Sequence, residues 1–157
     1  MHTTLHYRAA QPADIAECID IRGKTRENAV TAARLSAMGI TLQSWGDQVK
    51  SGALPGVVCI ANGAIAGYCF CDRSSGEIVV LALLPAFENQ GIGRALLAQA
   101  VAILAAQGHT RLHLGCSSDP SSRSYGFYRH LGWRTTHAFD ENHDEILEFY
   151  TSARAGA

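Results

Sequence analysis

No stretch of this 157-residue sequence approaches the ~18–20 uninterrupted apolar residues of a membrane span. There is no Lys/Arg-rich tract, and the formal net charge is -1, so broad electrostatic attraction to nucleic acid is not expected. The opening residues, Met1 to Arg8, lack the charged-then-apolar order of a secretory signal; the expectation is a cytoplasmic protein with no membrane partner. Cysteine is sparse and unpatterned. Cys18, Cys59, Cys69, Cys71 and Cys116 are odd in number and contain no Cys-x-x-Cys, which favours reduced thiols over a disulfide framework. Cys69 and Cys71 share one side of a strand, but no second ligand pair stands at suitable spacing, and no metal is expected. Internal repeats, low-complexity tracts and linkers are also missing. What remains is an apolar fraction of 47% and a charged fraction of 17%, the composition of a single globular domain over residues 1–157, with 152–157 as a loose tail.

The periodicities predict a short strand over 3–9 and a helix over 12–22. A second helix over 25–38 should stop at Gly39, and a third over 41–51 should be capped by Thr41 and ended by Gly52. Asn62-Gly63 between the apolar runs 56–60 and 64–70 signals a tight antiparallel hairpin. The turn Ser74-Ser75-Gly76 leads into a strand over 77–84. A helix over 91–107 turns Ile92, Leu96 and Ile103 inward, then crosses over to a strand at 111–116 that should run parallel to 77–84. A helix over 121–131 and strands over 133–139 and 145–150 close the chain. The sum is an α/β (α+β) domain: a mixed, mostly antiparallel sheet of about seven strands flanked by about four helices.

The residues from Glu77 to Leu97 read as an apolar strand, a proline-bearing loop, a Gly-x-Gly turn and an amphipathic helix. Gly91 and Gly93 let backbone approach a ligand, and the helix start presents N–H groups to a phosphate or pyrophosphate. Gly-x-Gly alone marks an ordinary tight helix entry equally well. A P-loop would need Lys-Ser/Thr where Arg94-Ala95 stands. A dinucleotide fold would need Gly or Ala at Leu96 and an acidic residue within 111–116, where there is none.

Over nearly its whole length the chain resembles the GNAT superfamily, the Gcn5-related N-acetyltransferases. Tyr7-Arg8-Ala9-Ala10 through Asp14-Ile15 is similar to the family's opening strand and helix. Leu83-Leu-Pro85, Gly91-Ile-Gly93 and Arg94-Ala-Leu-Leu97 resemble its acyl-CoA motif, and Phe127-Tyr128 with Leu131-Gly132-Trp133 its later aromatic motif. The resemblance implies acetyl-CoA as co-substrate. Gly91, Gly93 and Arg94, joined by Asn89 and Gln90, would meet its pyrophosphate, and the backbones of Leu81 and Leu83 would pair with the pantetheine arm as an added strand. Ser121 would either bond that arm or cap its helix. Glu88 departs from the family's usual Gln or Arg, and its carboxylate would oppose a pyrophosphate unless it pointed to solvent.

Direct transfer to a primary amine of a small molecule or peptide, with the oxyanion on a backbone N–H near Leu83, is the expected reaction. Tyr128 is the candidate proton donor, since a phenol of pKa ~10 stays protonated beside a thiol of ~8.5. The plain alternative is a buried tyrosine packed on Phe127; Tyr125 is a weaker donor. Glu77 is the candidate base, with His113 and Cys116 as rivals, and Cys116 as an acyl carrier is a further route. The acceptor would meet Arg22, Arg26, Glu27, Asn28 and Trp45 on one side and Asp140, Glu141, Asp144 and Glu145 on the other. C-terminal edge strands suit a homodimer. A non-catalytic acyl-CoA-binding or sensing module is the alternative function.

Overall fold

In the computed structural model, which describes residues 4–151, a short strand β1 (Leu5–Ala9) opens the fold. Residue 3 of the expected first strand and the expected tail over 152–157 lie outside the described residues. A 3-10 turn over Pro12–Asp14 leads into helix α1 (Ile15–Arg22). Asp14 fixes this corner: each carboxylate oxygen accepts from Arg8 at 2.8 Å, and one also accepts the Gln11 N–H at 2.7 Å. The hydrogen-bonded Arg8 guanidinium holds the Asp14 carboxyl below its ordinary value.

The second helix is much shorter than expected. α2 covers only Ala32–Ala37, with the Thr31 hydroxyl accepting the Arg34 N–H as its cap. The segment before it is a loop, folded back by the Val30 N–H on the Arg22 carbonyl (2.9 Å) and by Asn28 at φ 57°. Helix α3 (Leu42–Ser51) follows its local signals: Thr41 and Ser44 cap each other reciprocally, and Gly52 ends it in the left-handed region at φ 85°.

Asn62 and Gly63, at φ 54° and 83°, make the hairpin between β2 (Gly56–Ala61) and β3 (Ala64–Cys71). β4 (Ile78–Leu83) pairs with β3, giving an antiparallel four-stranded sheet in the order β1-β2-β3-β4. The long helix α4 (Ile92–Ala106) crosses to β5 (Arg111–Cys116). Helix α5 (Arg123–His130) and the hairpin β6 (Arg134–Phe139) and β7 (Glu145–Tyr150) complete a second sheet in the order β5-β7-β6.

Both faces of the β2–β3 hairpin are covered, which is why these strands read as unbroken apolar runs. One face supplies Val57, Cys59, Cys69 and Cys71 to a core shared with α4, α5 and the second sheet. The other supplies Val58, Tyr68 and Phe70 to a core with α1 and α3.

The seven strands form two sheets, with β4 and β5 parallel as expected but joined only by a bridge at Glu77 and His113. A bulge places Val79 out of register between Ile78 opposite Cys71 and Val80 opposite Phe70. Bulges bend the strand that carries them, and beyond this one β4 and β5 diverge. β4 stays close on β3 because position 67 is glycine: a Cβ there would lie 2.7 Å from Leu83 Cδ1 and 2.8 Å from the Ala82 carbonyl.

Candidate active site

Among the described residues, the divergence leaves one edge of β4 without a strand partner beyond the Glu77 bridge. The Leu84 N–H donates to the Ala66 carbonyl at 2.9 Å, so residue 84 faces β3. By the two-residue alternation of an antiparallel pair, the N–H and C=O groups of Leu81 and Leu83 turn the other way. They face a cleft of about 990 Å³, also lined by Leu114 to Ser117 and by Gly126, Phe127 and Tyr128. Unpaired backbone at such an edge is a template for an extended ligand.

At one end of the cleft stands the turn into α4. Gly91 caps the helix at φ 80°, a conformation an L side chain seldom adopts, and the helix's first amides have no intrahelical acceptors. Gly93 lines the cleft, and a Cβ there would lie 3.7 Å from the Phe127 ring, so α5 packs over the turn. Asn89, at φ 63°, and Gln90, Gly91 and Arg94 are exposed on the same turn without lining the cleft itself.

Tyr128 comes from α5 and is 9% exposed, edge-on to Phe127 (centroids 5.1 Å apart) and Trp133 (6.1 Å). Burial, then the neighbouring Cys69 and Cys116, push its phenol well above the ordinary value, so it holds its proton throughout the neutral range. Tyr125 instead lies under the Arg129 guanidinium, 3.6 Å from its ring centroid, and does not line the cleft. Ser121 is exposed and its hydroxyl donates to Asp119 Oδ1 at 2.8 Å; the helix cap is Ser122, one residue later. It is Ser124, on α5, and not Ser121 that lines the cleft.

Glu77 is half-buried at the β4–β5 bridge, one residue before the cleft lining begins at Ile78. Burial raises its carboxyl, Asp72 and Asp140 add to the rise, and His113 opposes it. His113 is itself half-buried, with Nε2 3.3 Å from the Ser75 carbonyl. Cys116 lines the cleft, but burial raises its thiol against the opposing effect of Arg129, which keeps it protonated and weakly nucleophilic.

Of the residues assigned to the acceptor, Arg22, Arg26, Glu27, Asn28 and Asp144 line the cleft, and Trp45, Asp140, Glu141 and Glu145 do not. Arg22 donates to the Asn28 carbonyl at the rim of the cleft. Arg26 binds Glu88, Nε to Oε1 at 2.7 Å, and Glu27 Oε1 accepts the backbone N–H of Arg123 at 3.0 Å. Glu88 therefore does not point to solvent: its side chain is 11% exposed, with the Arg123 guanidinium 3.6 Å from the same Glu88 oxygen. Trp45 lies in the α1–α3 core, edge-on to Tyr68 and Phe70, and lines no part of the cleft. Glu145 is paired with Arg129 at 2.5 Å. Asp144 does line the cleft, its carboxyl raised by burial and by Asp140. Arg34 and Met38, in and at the end of α2, and Val79, at the β4 bulge, also border it and were invisible as site residues, because no local signal announces where α2 sits or where the bulge falls. Among the described residues no group of His, Cys, Asp and Glu is placed to hold a metal ion, and no helix is long and apolar enough to cross a membrane.

Residues 23–133 match the family model described as Acetyltransferase (GNAT) family. Solved structures share the fold over most of both chains. The PaiA N-acetyltransferase of Thermoplasma acidophilum, in complex with coenzyme A, is 17% identical with a TM-score of 0.78, covering 94% of this chain and 99% of its own. The yncA protein of Salmonella typhimurium, with its cofactor acetyl-CoA, is 18% identical with a TM-score of 0.71, at 96% and 94% coverage. An N-acetyltransferase from Staphylococcus aureus Mu50 is 15% identical with a TM-score of 0.72, at 94% and 98% coverage. No curated protein matches the sequence.

Proposed function

The chain belongs to the GNAT acetyltransferase family, and on that premise we propose that it moves an acetyl group from acetyl-CoA to a primary amine by direct attack in a ternary complex. The splay of β4 from β5 carries this reading: it opens the Leu81–Leu83 backbone edge to the same cleft that Gly93 and Tyr128 line. The residues fit the coenzyme. The strand edge suits the amide-bearing pantetheine arm, and the side-chain-free turn at Gly91 suits a diphosphate. When bound, acetyl-CoA supplies an activated thioester.

The protein's own groups do the rest. Tyr128 keeps its proton at the hydroxyl and gives it to the departing thiolate. A lysine-like amine of pKa ~10.4 is almost wholly protonated at pH 7, and freeing its lone pair costs about 4–5 kcal/mol. Glu77, whose carboxyl burial raises above its ordinary value, accepts that proton through water. Asp144 draws the cationic form of the amine into the cleft. The protonated, buried thiol of Cys116 fits direct attack better than an acyl-enzyme.

The test is free-thiol release from acetyl-CoA against amino acids, polyamines, aminoglycosides and peptides. The expected result is amine-dependent release with intersecting initial-velocity patterns, and turnover retained in Cys116→Ala. Parallel patterns with a trapped acyl-Cys116 would point to ping-pong transfer. Coenzyme binding without release to any amine would point to a sensing module.

A further inference from the structure

Two arginines from distant parts of the chain converge on one shielded carboxylate at the edge of the turn into α4. Arg26 belongs to the loop before α2, and Arg123 is the first residue of α5. Their side chains are 57% and 49% exposed, whereas the Glu88 side chain between them is 11% exposed. Arg123 is oriented further by Asn89, whose Oδ1 accepts from Nη2 at 3.3 Å. The second carboxylate nearby, Glu27, takes the Arg123 backbone N–H and neither guanidinium. Arg26, Glu88, Gly93 and Arg123 all line the one cleft. Arg26 holds residue 88 and Arg123 holds residues 88 and 89, in the segment that leads to the Gly91 cap of α4.

We propose that Arg26 and Arg123 are ligands of the coenzyme's diphosphate, and that Glu88 holds them in the diphosphate's place until the coenzyme enters. The inference rests on reading the cleft as a coenzyme A site. A guanidinium is a rigid fork of donors that matches carboxylate and phosphate oxygens alike, so both arginines can exchange one anion for the other without rebuilding their geometry. Glu88 keeps them beside the turn while no phosphate is present. It also competes with the phosphate, which accounts for a carboxylate at a place where one would otherwise only repel the ligand. The exchange loosens the attachment of the Arg26 loop to residue 88 and transfers it to the coenzyme.

The experiment is calorimetric titration with coenzyme A, and competition against it by pantetheine, which has the same arm but no diphosphate. Wild type, Arg26→Gln, Arg123→Gln and Glu88→Gln are compared. Each arginine variant should bind coenzyme A ~10-fold more weakly, the size of one charge-assisted hydrogen bond, with pantetheine affinity unchanged. Glu88→Gln should bind coenzyme A at least as tightly as wild type. Unchanged coenzyme A affinity in both arginine variants would overturn the proposal while leaving the coenzyme site intact. So would equal weakening of coenzyme A and pantetheine, or a clearly weaker Glu88→Gln complex. A wild-type protein that binds no coenzyme A would sink this inference and the proposed function together.

Discussion

Tyr128→Phe should lower turnover by about 100-fold or more, the usual worth of a positioned general acid, while coenzyme A affinity and melting temperature stay close to wild type. The substitution removes one oxygen and keeps the ring that packs against Phe127 and Trp133. Among the described residues the hydroxyl bonds to no other group, so no internal partner is orphaned by its loss. Burial raises the phenol's pKa, and the same dry surroundings raise that of a departing thiol, so the order in which the two give up protons is not reversed by the site. Steady-state kinetics beside calorimetry separate the two roles. A near-normal turnover in Tyr128→Phe would make this residue core packing and nothing more.

Glu77→Gln should lower kcat/KM by about 100-fold near neutral pH, with the deficit shrinking as pH rises toward the pKa of the amine. At high pH the acceptor loses its proton unaided and needs no base. In the wild type the base must be ionised, so activity is present above its pKa and falls as pH drops through it. Burial, opposed by His113 and aided by Asp72 and Asp140, raises that acid limb above the carboxyl's ordinary value. The conservative amide keeps the size of the side chain at the β4–β5 bridge, so loss of the limb reads proton transfer rather than folding. A variant with the wild-type pH profile would acquit Glu77. Asp144→Asn is then the substitution to examine, because that carboxylate lines the cleft directly.

The parts of the fold visible in the sequence are those specified by neighbours in the chain. Asn62-Gly63 chose its hairpin, and Thr41 and Gly52 bounded α3, because each turn or cap is chemistry within a few residues. The helix expected over 25–38 fails at its first half for the opposite reason. Asn28 adopts a left-handed conformation and the chain folds back onto Arg22, contacts that no helical period announces. Ser121 and Ser122 are both plausible caps by type; the Asp119 carboxylate engages the first and leaves the second to the helix.

The site divides in the same way. The places of Gly91 and Gly93 at the entry to α4 and of Tyr128 on α5 were legible because a Gly-x-Gly turn and a helical aromatic pair are local features. The opening of β4 was legible only as a strand, since which edge lacks a partner depends on a bulge set by pairing with β3. Glu88 read as a carboxylate that would oppose a pyrophosphate unless it pointed to solvent. Its partner Arg26 lies 62 residues away, and that pairing belongs to the tertiary fold. Trp45 was drawn to the cleft by its place on an early helix, yet the apolar face of α3 buries it against Tyr68 and Phe70.

The account stands or falls most directly on a crystal structure of the protein with coenzyme A. It predicts the diphosphate on the amides between Gly91 and Arg94, the pantetheine arm hydrogen-bonded along Leu81 and Leu83, and the sulfur within hydrogen-bonding reach of the Tyr128 hydroxyl. Coenzyme bound elsewhere, or a sulfur beyond the reach of that phenol, would contradict it.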